Sequence, residues 1–201
     1  PLNFLPSDAA TVGSLDLDIV DQSNELIKNL KENKFDIVFL MGQDNLKFNK
    51  KNEFVVYVGS HGDNGAELAD IILPGAAYTE QSGHYTNLEG KIQKAYKASY
   101  PPGEAKEDWE VINDLAEFMN NRGLFNDKDE LLSSMFNYIN LKKERQETPS
   151  NTEVNVTNFM NEILDVTYKD YYFSNVIARS SKTMLNCNNS KFEVKRTGTE
   201  G

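Results

Sequence analysis

Apolar residues fall along this chain in two different rhythms. Across residues 21–31, Leu26, Ile27 and Leu30 recur at the three- and four-residue spacing of one helix face, with Asp21 or Ser23 in place to cap it. Residues 35–41 instead read FDIVFLM, a nearly unbroken apolar and β-branched run that Gly42 ends. Residues 54–58, FVVYV, repeat the pattern and stop at Gly59; residues 70–73, DIIL, stop at Pro74 and Gly75. Runs without alternation predict strands buried on both faces, the habit of a parallel sheet. Residues 66–69 fit one helical turn between the second and third runs, and residues 15–19 are short and mixed. The order helix, strand, loop, strand, turn, strand predicts an α/β fold: a mostly parallel sheet flanked by helices, followed by an irregular C-terminal extension.

The middle of the chain is less periodic. Residues 76–91 are rich in Gly, Thr, Asn and Ser and predict a long ordered loop. Pro101, Pro102 and Gly103 make a firm break. Residues 106–119 then predict a helix, because Trp109, Ile112, Leu115, Ala116 and Met119 share one face and Glu107 and Asp108 suit its N-terminal dipole. Residues 127–139 predict another, with Leu131, Leu132, Met135, Phe136 and Ile139 inward. Residues 142–155 are polar, hold Pro149 and read as a linker. Residues 157–164 predict a short helix. Residues 167–187 form an aromatic-rich tail whose Tyr168, Tyr171, Tyr172 and Phe173 need a surface to pack on. The resulting division is an α/β domain over 1–141, a polar linker over 142–156, and a C-terminal helix with a docking tail over 157–201.

Charge and cysteine content narrow the functional classes. The 31 acidic residues outnumber the 21 basic ones for a net charge of −10. The densest basic cluster, Lys142-Lys143-Glu144-Arg145, is broken by an acid, so the basic face of a nucleic-acid binder is missing. Cys187 is the single cysteine; one thiol makes no internal disulfide and cannot supply the four ligands of an iron–sulfur cluster. No apolar run approaches the roughly 20 residues of a membrane span. The first residue is Pro1, so the chain reads as processed or partial.

Several groups invite chemistry. Gly59, Gly62 and Gly65 follow a predicted strand, as phosphate-binding glycines do, but their spacing is GxxGxxG rather than GxGxxG; the competing reading is a tight crossover where strand and loop approach closely. His61, Asp63, Glu80 and His84 carry metal-ligating atoms at a spacing that matches no common site, which favours structural roles. Ser60, His61 and Asp63 bring a hydrolase to mind, yet neighbouring side chains point apart and no GxSxG elbow is present. Cys187 has no nearby histidine and reads as an inert thiol. Tyr78, Tyr85, Tyr96 and Tyr100 fit a binding platform or, more commonly, burial against the sheet or another subunit. The residues by themselves describe an acidic α/β domain without an active site.

The stretch 59–109 carries more. It holds a Gly-Ser-His-Gly-Asp loop at 59–63, ADIILPGAAYTE at 69–80, NLEGKIQ at 87–93, Pro-Pro-Gly at 101–103 and Glu-Asp-Trp at 107–109. This order of motifs resembles the large iron–sulfur subunit of respiratory complex I, with Lys91 where that family has Arg. Leu15-Asp16-Leu17 with the FDIVFLMG strand, and Tyr168-Lys169-Asp170-Tyr171-Tyr172 with Arg179, Ser180, Thr183, Met184 and Cys187, extend the similarity nearly end to end. It is weakest over 124–166.

The resemblance implies the C-terminal part of that subunit, a domain related to molybdopterin-dependent oxidoreductases such as formate dehydrogenase but without the pterin in mitochondrial enzymes. It implies NADH:ubiquinone oxidoreduction at the level of the complex, with no catalytic, cofactor-binding or metal residues in this chain. The iron–sulfur clusters and FMN would lie in neighbouring parts of the complex. Expected partners are the cluster-bearing N-terminal part of the same subunit and other peripheral-arm subunits, on the matrix side of the mitochondrial inner membrane. The alternative is a portion of a molybdopterin oxidoreductase that still binds a pterin guanine dinucleotide.

Overall fold

The computed structural model of the chain describes residues 8–19, 25–44, 46–145 and 171–193, with side chains for all of these except 142–145 and 191–193. The expected helix over 157–164, Tyr168 and most of the expected linker lie outside the described residues.

Three parallel strands form the centre. β1 (Ile37–Met41), β2 (Phe54–Gly59) and β3 (Ile71–Pro74) lie in the order β1-β2-β3. The register pairs Val55 with Val38 on one side, and Val56 with Ile71 on the other. Helix α1 (Thr11–Asp16) precedes the sheet, α2 (Glu25–Lys31) leads into β1, and α3 (Asn64–Leu68) links β2 to β3. Glu25 in its first turn and Lys28 and Lys31 in its last suit the dipole of α2. The three apolar runs are therefore strands of one parallel sheet, as their patterning predicts.

Burial departs from the expectation. Val55, Tyr57 and Val58 are essentially sealed, and Leu40 and Tyr57 meet with Val38, Leu46, Phe48, Ala66 and Ala69 around them. In β1, however, Ile37 and Phe39 are exposed, and in β3 so are Ile71 and Ile72. Among the described residues, only the central strand is covered on both faces. The outer strands have a neighbour along one edge and little stacked on their outer faces.

Residues 76–91 are not a loop throughout. β4 (Gly83–Thr86) and β5 (Ile92–Ala95) form an antiparallel hairpin that pairs His84 with Lys94 and Tyr85 with Gln93. The turn explains it. Gly90 takes φ +79°, a left-handed conformation that glycine adopts without strain. The Asn87 side-chain oxygen accepts the Glu89 and Lys91 amides at 3.0 and 2.9 Å. The polar residues read as loop are the turn chemistry of a hairpin.

α4 (Asp108–Asn120) and α5 (Lys128–Arg145) follow. The Glu107 N–H donates to Glu110 Oε2 at 2.9 Å and secures the start of α4; Asn121 ends it in the left-handed conformation. Asn113 accepts the Phe125 amide at 2.9 Å and donates to its carbonyl at 3.1 Å, fixing the turn between the helices. The Lys128 ammonium then reaches back to the buried Glu107 carboxylate and to the Ser82 carbonyl, tying α5 to the root of the hairpin. α5 continues to Arg145, beyond the expected end at Ile139 and into the stretch read as linker.

The described part of the aromatic tail is largely helical: a 3-10 turn at Tyr171–Phe173, then α6 (Val176–Ser180) and α7 (Lys182–Glu193). Among the described residues no helix is long and apolar enough to cross a membrane.

Candidate functional site

In an open α/β sheet, ligands bind beyond the carboxyl ends of the strands. Here those ends are Met41, Gly59 and Pro74, and a crevice of about 490 Å³ opens beyond them. Its walls come from Gly42–Asp44, Gly59, Ser60 and Ala76–Tyr78 on the sheet side, and from Ser174–Ile177 and Arg179 on the C-terminal side.

Tyr57 organises the floor. Its hydroxyl lies 2.5 Å from Asp44 Oδ1 and 2.8 Å from the His61 carbonyl, and its one proton serves both. Burial, then the Asp44 carboxylate, pushes the phenol well above its usual range, so it stays neutral. The ring explains two glycines. A Cβ on Gly59 would fall 2.2 Å from the Tyr57 hydroxyl oxygen, and one on Gly65 would fall 2.7 Å from the Gln43 carbonyl oxygen and 2.9 Å from the ring. Gly62 has open space around it. The glycines at 59 and 65 thus serve close packing, which is the crossover reading of GxxGxxG.

Asp63 begins α3 and is committed on both oxygens. Oδ1 accepts the Asn64 amide at 2.8 Å, and Oδ2 accepts Arg179 Nε at 2.5 Å. Burial works against its charge, but these two donors hold its carboxyl below the usual range. Arg179 also donates through Nη1 to the Phe173 carbonyl at 3.2 Å.

The other expected candidates scatter. Ser60 Oγ and His61 Nδ1 do come together, at 3.0 Å, although neighbouring side chains were expected to diverge. Asp63 does not complete a triad there, because it faces Asn64 and Arg179. Glu80 accepts the Ala77 amide at 2.9 Å and closes a turn. His84 lies on β4 with its ring edge-on to Phe136 at 5.4 Å. Among the described residues no three His, Cys, Asp or Glu side chains are grouped to hold a metal ion. Cys187 is exposed on α7. Tyr78, Tyr85, Tyr96 and Tyr100 are all exposed rather than buried against the sheet, with Lys94 over Tyr96 and Lys97 over Tyr100, each at 4.8 Å. Sequence reasoning missed the Asp63–Arg179 pair and the Tyr57–Asp44 bond altogether.

A molybdopterin oxidoreductase family model matches residues 1–118. The chain belongs to the molybdopterin oxidoreductase family. A second model, for the C-terminal region of the G subunit of NADH-ubiquinone oxidoreductase, matches residues 139–187. Among curated proteins the chain is similar to the NADH-ubiquinone oxidoreductase 75 kDa subunit of Reclinomonas americana, at 38% identity over 92% of this chain and 28% of that protein. It is also similar to the mitochondrial 78 kDa subunit of Candida albicans, at 37% identity over 92% of this chain and 27% of the relative. With the mitochondrial 78 kDa subunit of Neurospora crassa it shares 33% identity over 94% of this chain and 27% of the relative. The chain thus spans little more than a quarter of the length of the curated relatives it matches. The expected resemblance, nearly end to end, is borne out.

Membership of a molybdopterin oxidoreductase family raises the question of whether the crevice suits a pterin dinucleotide. Its lining does not. Among the described residues, Asp8, Asp44 and Asp108 face it against one cation, Arg179, which is already paired with Asp63. A pyrophosphate would meet carboxylates there. The first amide of α3, the natural place for a phosphate, is occupied by the Asp63 carboxylate.

Proposed function

We propose that this chain is a non-catalytic structural part of the large iron–sulfur subunit of mitochondrial respiratory complex I, supporting electron transfer from NADH to ubiquinone in the peripheral arm. The carrying observation is that two models divide the chain: a molybdopterin oxidoreductase body over 1–118, then the C-terminal region of an NADH-ubiquinone oxidoreductase component over 139–187. A free-standing molybdenum enzyme gives no reason for the second match. The similarity of nearly the whole chain to the 75 and 78 kDa subunits points the same way.

In this reading the chain holds no catalytic residue, cofactor or metal. It braces the cluster-bearing N-terminal part of the subunit, and other peripheral-arm subunits pack on it, at the matrix side of the inner membrane. Iron–sulfur clusters and FMN belong to those neighbours. The exposed tyrosines and the bare faces of β1 and β3 supply contact surface. Electron transfer needs fixed distances between centres, and a rigid brace is what an α/β body can provide without chemistry of its own.

Tagging the chain and isolating its assembly tests this. Recovery together with cluster-bearing and flavin-bearing subunits is expected, and depletion of the chain should lower NADH:ubiquinone activity. Recovery without those subunits, or unchanged activity after depletion, defeats the proposal. The pterin-binding alternative is favoured if molybdenum and pterin co-purify in proportion to this chain.

A further inference from the structure

The C-terminal helices border the crevice where the fold's ligand would sit. Their residues Ser174–Ile177 and Arg179 form the far wall of the crevice beyond β1, β2 and β3. The 3-10 turn, α6 and α7 pack chiefly on one another and only sparsely on the α/β body. What binds them to it most directly is the Arg179–Asp63 pair, joining residues 116 apart in sequence. Both side chains are largely shielded, 24% and 18% exposed, so this is a charge-assisted bond in reduced solvent screening. The geometry at each end is set independently of the other. Asp63 is fixed as the cap of α3, and Arg179 is steadied by the Phe173 carbonyl. Asn175 caps α6 by accepting the Ala178 amide at 2.9 Å, which orients the helix that carries Arg179.

We propose that residues 171–190 are an internal lid over the carboxyl-end crevice of the sheet, closed by the Arg179–Asp63 ion pair. The lid lines one side of the crevice rather than filling it, since about 490 Å³ stays open beside it. The sheet falls within one family match, 1–118, and residues 171–187 of the lid within another, 139–187, so most of the closing element belongs to the region that a molybdopterin oxidoreductase body does not itself bring. The inference stands apart from the respiratory assignment, because the pair would close the crevice whatever the chain assembles with.

The test uses the full-length subunit in its complex. Cys187→Ser removes the exposed thiol, and Ala77→Cys places a reporter thiol at a buried wall position, 7% exposed. The probe is N-ethylmaleimide. Labelling should be slow, and Arg179→Gln or Asp63→Asn should each speed it about ten- to hundredfold, the range of a lost hydrogen bond to a charged group. Asparagine keeps the cap on α3, so Asp63→Asn isolates the ion pair. The double variant should be no faster than either single one, as for two ends of one contact. Arg179→Lys should fall between wild type and Arg179→Gln. Amide exchange at 174–180 should rise with the labelling rate while β2 stays protected. Fast labelling of the reporter before any change at the pair overturns the proposal, as do rates that neither variant moves. A loss of β2 protection in step with the labelling also overturns it, because the pair would then be a general support of the fold.

Discussion

Strands β1 and β2 lie side by side, are written in nearly the same alphabet, IVFLM and FVVYVG, and are buried to different extents. In β2, Val55, Tyr57 and Val58 are at most 1% exposed; in β1, Ile37 is 58% and Phe39 47% exposed. β2 has hydrogen-bonded neighbours on both edges and cover on both faces. Among the described residues, β1 has β2 along one edge only, and the other presents unpaired peptide groups to whatever lies beside it. An apolar run therefore specifies a strand but not what covers it. Ile71 and Ile72 of β3 repeat the lesson on the far side of the sheet. This chain spans 28% or less of the three relatives named above, so each of those relatives carries far more polypeptide outside the matched stretch than within it.

The sharpest way to break the comparison is one charge placed in each strand. Val55→Asp buries a carboxylate with no partner and should cost about 3–5 kcal/mol, enough to remove most of a typical domain's stability. Ile37→Asp places the same carboxylate on an open face and should change stability by no more than about 0.5 kcal/mol. Urea unfolding of the 201-residue chain at low concentration, where no other polypeptide covers β1, measures both. Equal losses would mean that the β1 face is covered within the chain itself.

Next in size is an effect on association. Expressed alone, the 201-residue chain should self-associate through Ile37, Phe39 and Ile72. Replacing all three by lysine should raise the monomer fraction in size-exclusion chromatography severalfold and weaken recovery of the subunit's partners. A wild-type chain that runs as a monomer and melts cooperatively would show that those faces need no cover.

Tyr57→Phe probes the buried strand's polar tip. It removes the donor that Asp44 and the His61 carbonyl share, at about 1–3 kcal/mol by thermal or urea unfolding. A neutral result would mean that water replaces the hydroxyl and that the tip of β2 is wetter than its burial indicates.

The legible part of this molecule was the part governed by local pattern. Val and Ile runs ended by Gly42, Gly59 and Pro74 announced the sheet, and Glu107 with the Trp109–Met119 face announced α4. The hairpin was misread because Gly83, Asn87 and Gly90 look like loop by composition, while its signal was the Asn-x-x-Gly turn between His84-Tyr85-Thr86 and Ile92. The helical path of α7 was hidden by a segment, KTMLNCNNSKFE, with few apolar residues and three asparagines. The crevice was anticipated only as a position beyond strand ends. Asp63 and Arg179 each stood in a quoted motif, but nothing local couples residues that far apart in sequence.

The smallest expected effect distinguishes the two seams of the sheet. At the β2–β3 seam, Asp70 Oδ2 accepts the Val55 amide at 2.7 Å and the Lys50 ammonium at 2.6 Å, while the Asp70 amide donates to the Val55 carbonyl at 2.8 Å. The Lys50 contact first, then the Val55 amide, holds the Asp70 carboxyl below its usual range. At the entrance to the β1–β2 seam the corresponding link is a backbone bond, from the Phe54 amide to the Asp36 carbonyl at 2.8 Å. A carboxylate whose pKa is lower folded than unfolded stabilises fully above the unfolded value, about 3.9 for Asp. That contribution declines as pH falls below it and is gone once pH has passed through the folded value. Acid should therefore loosen β3 from β2 before it loosens β1. Amide exchange from pH 5 down to pH 3 should show earlier loss of protection at Ile72 and Leu73 than at Val38 and Leu40. Asp70→Asn keeps an acceptor for the Val55 amide but removes the charge, and should flatten the difference between the seams. If both seams open together in the wild type, or the asparagine variant keeps the same order, Asp70 is not what sets the acid response of the sheet.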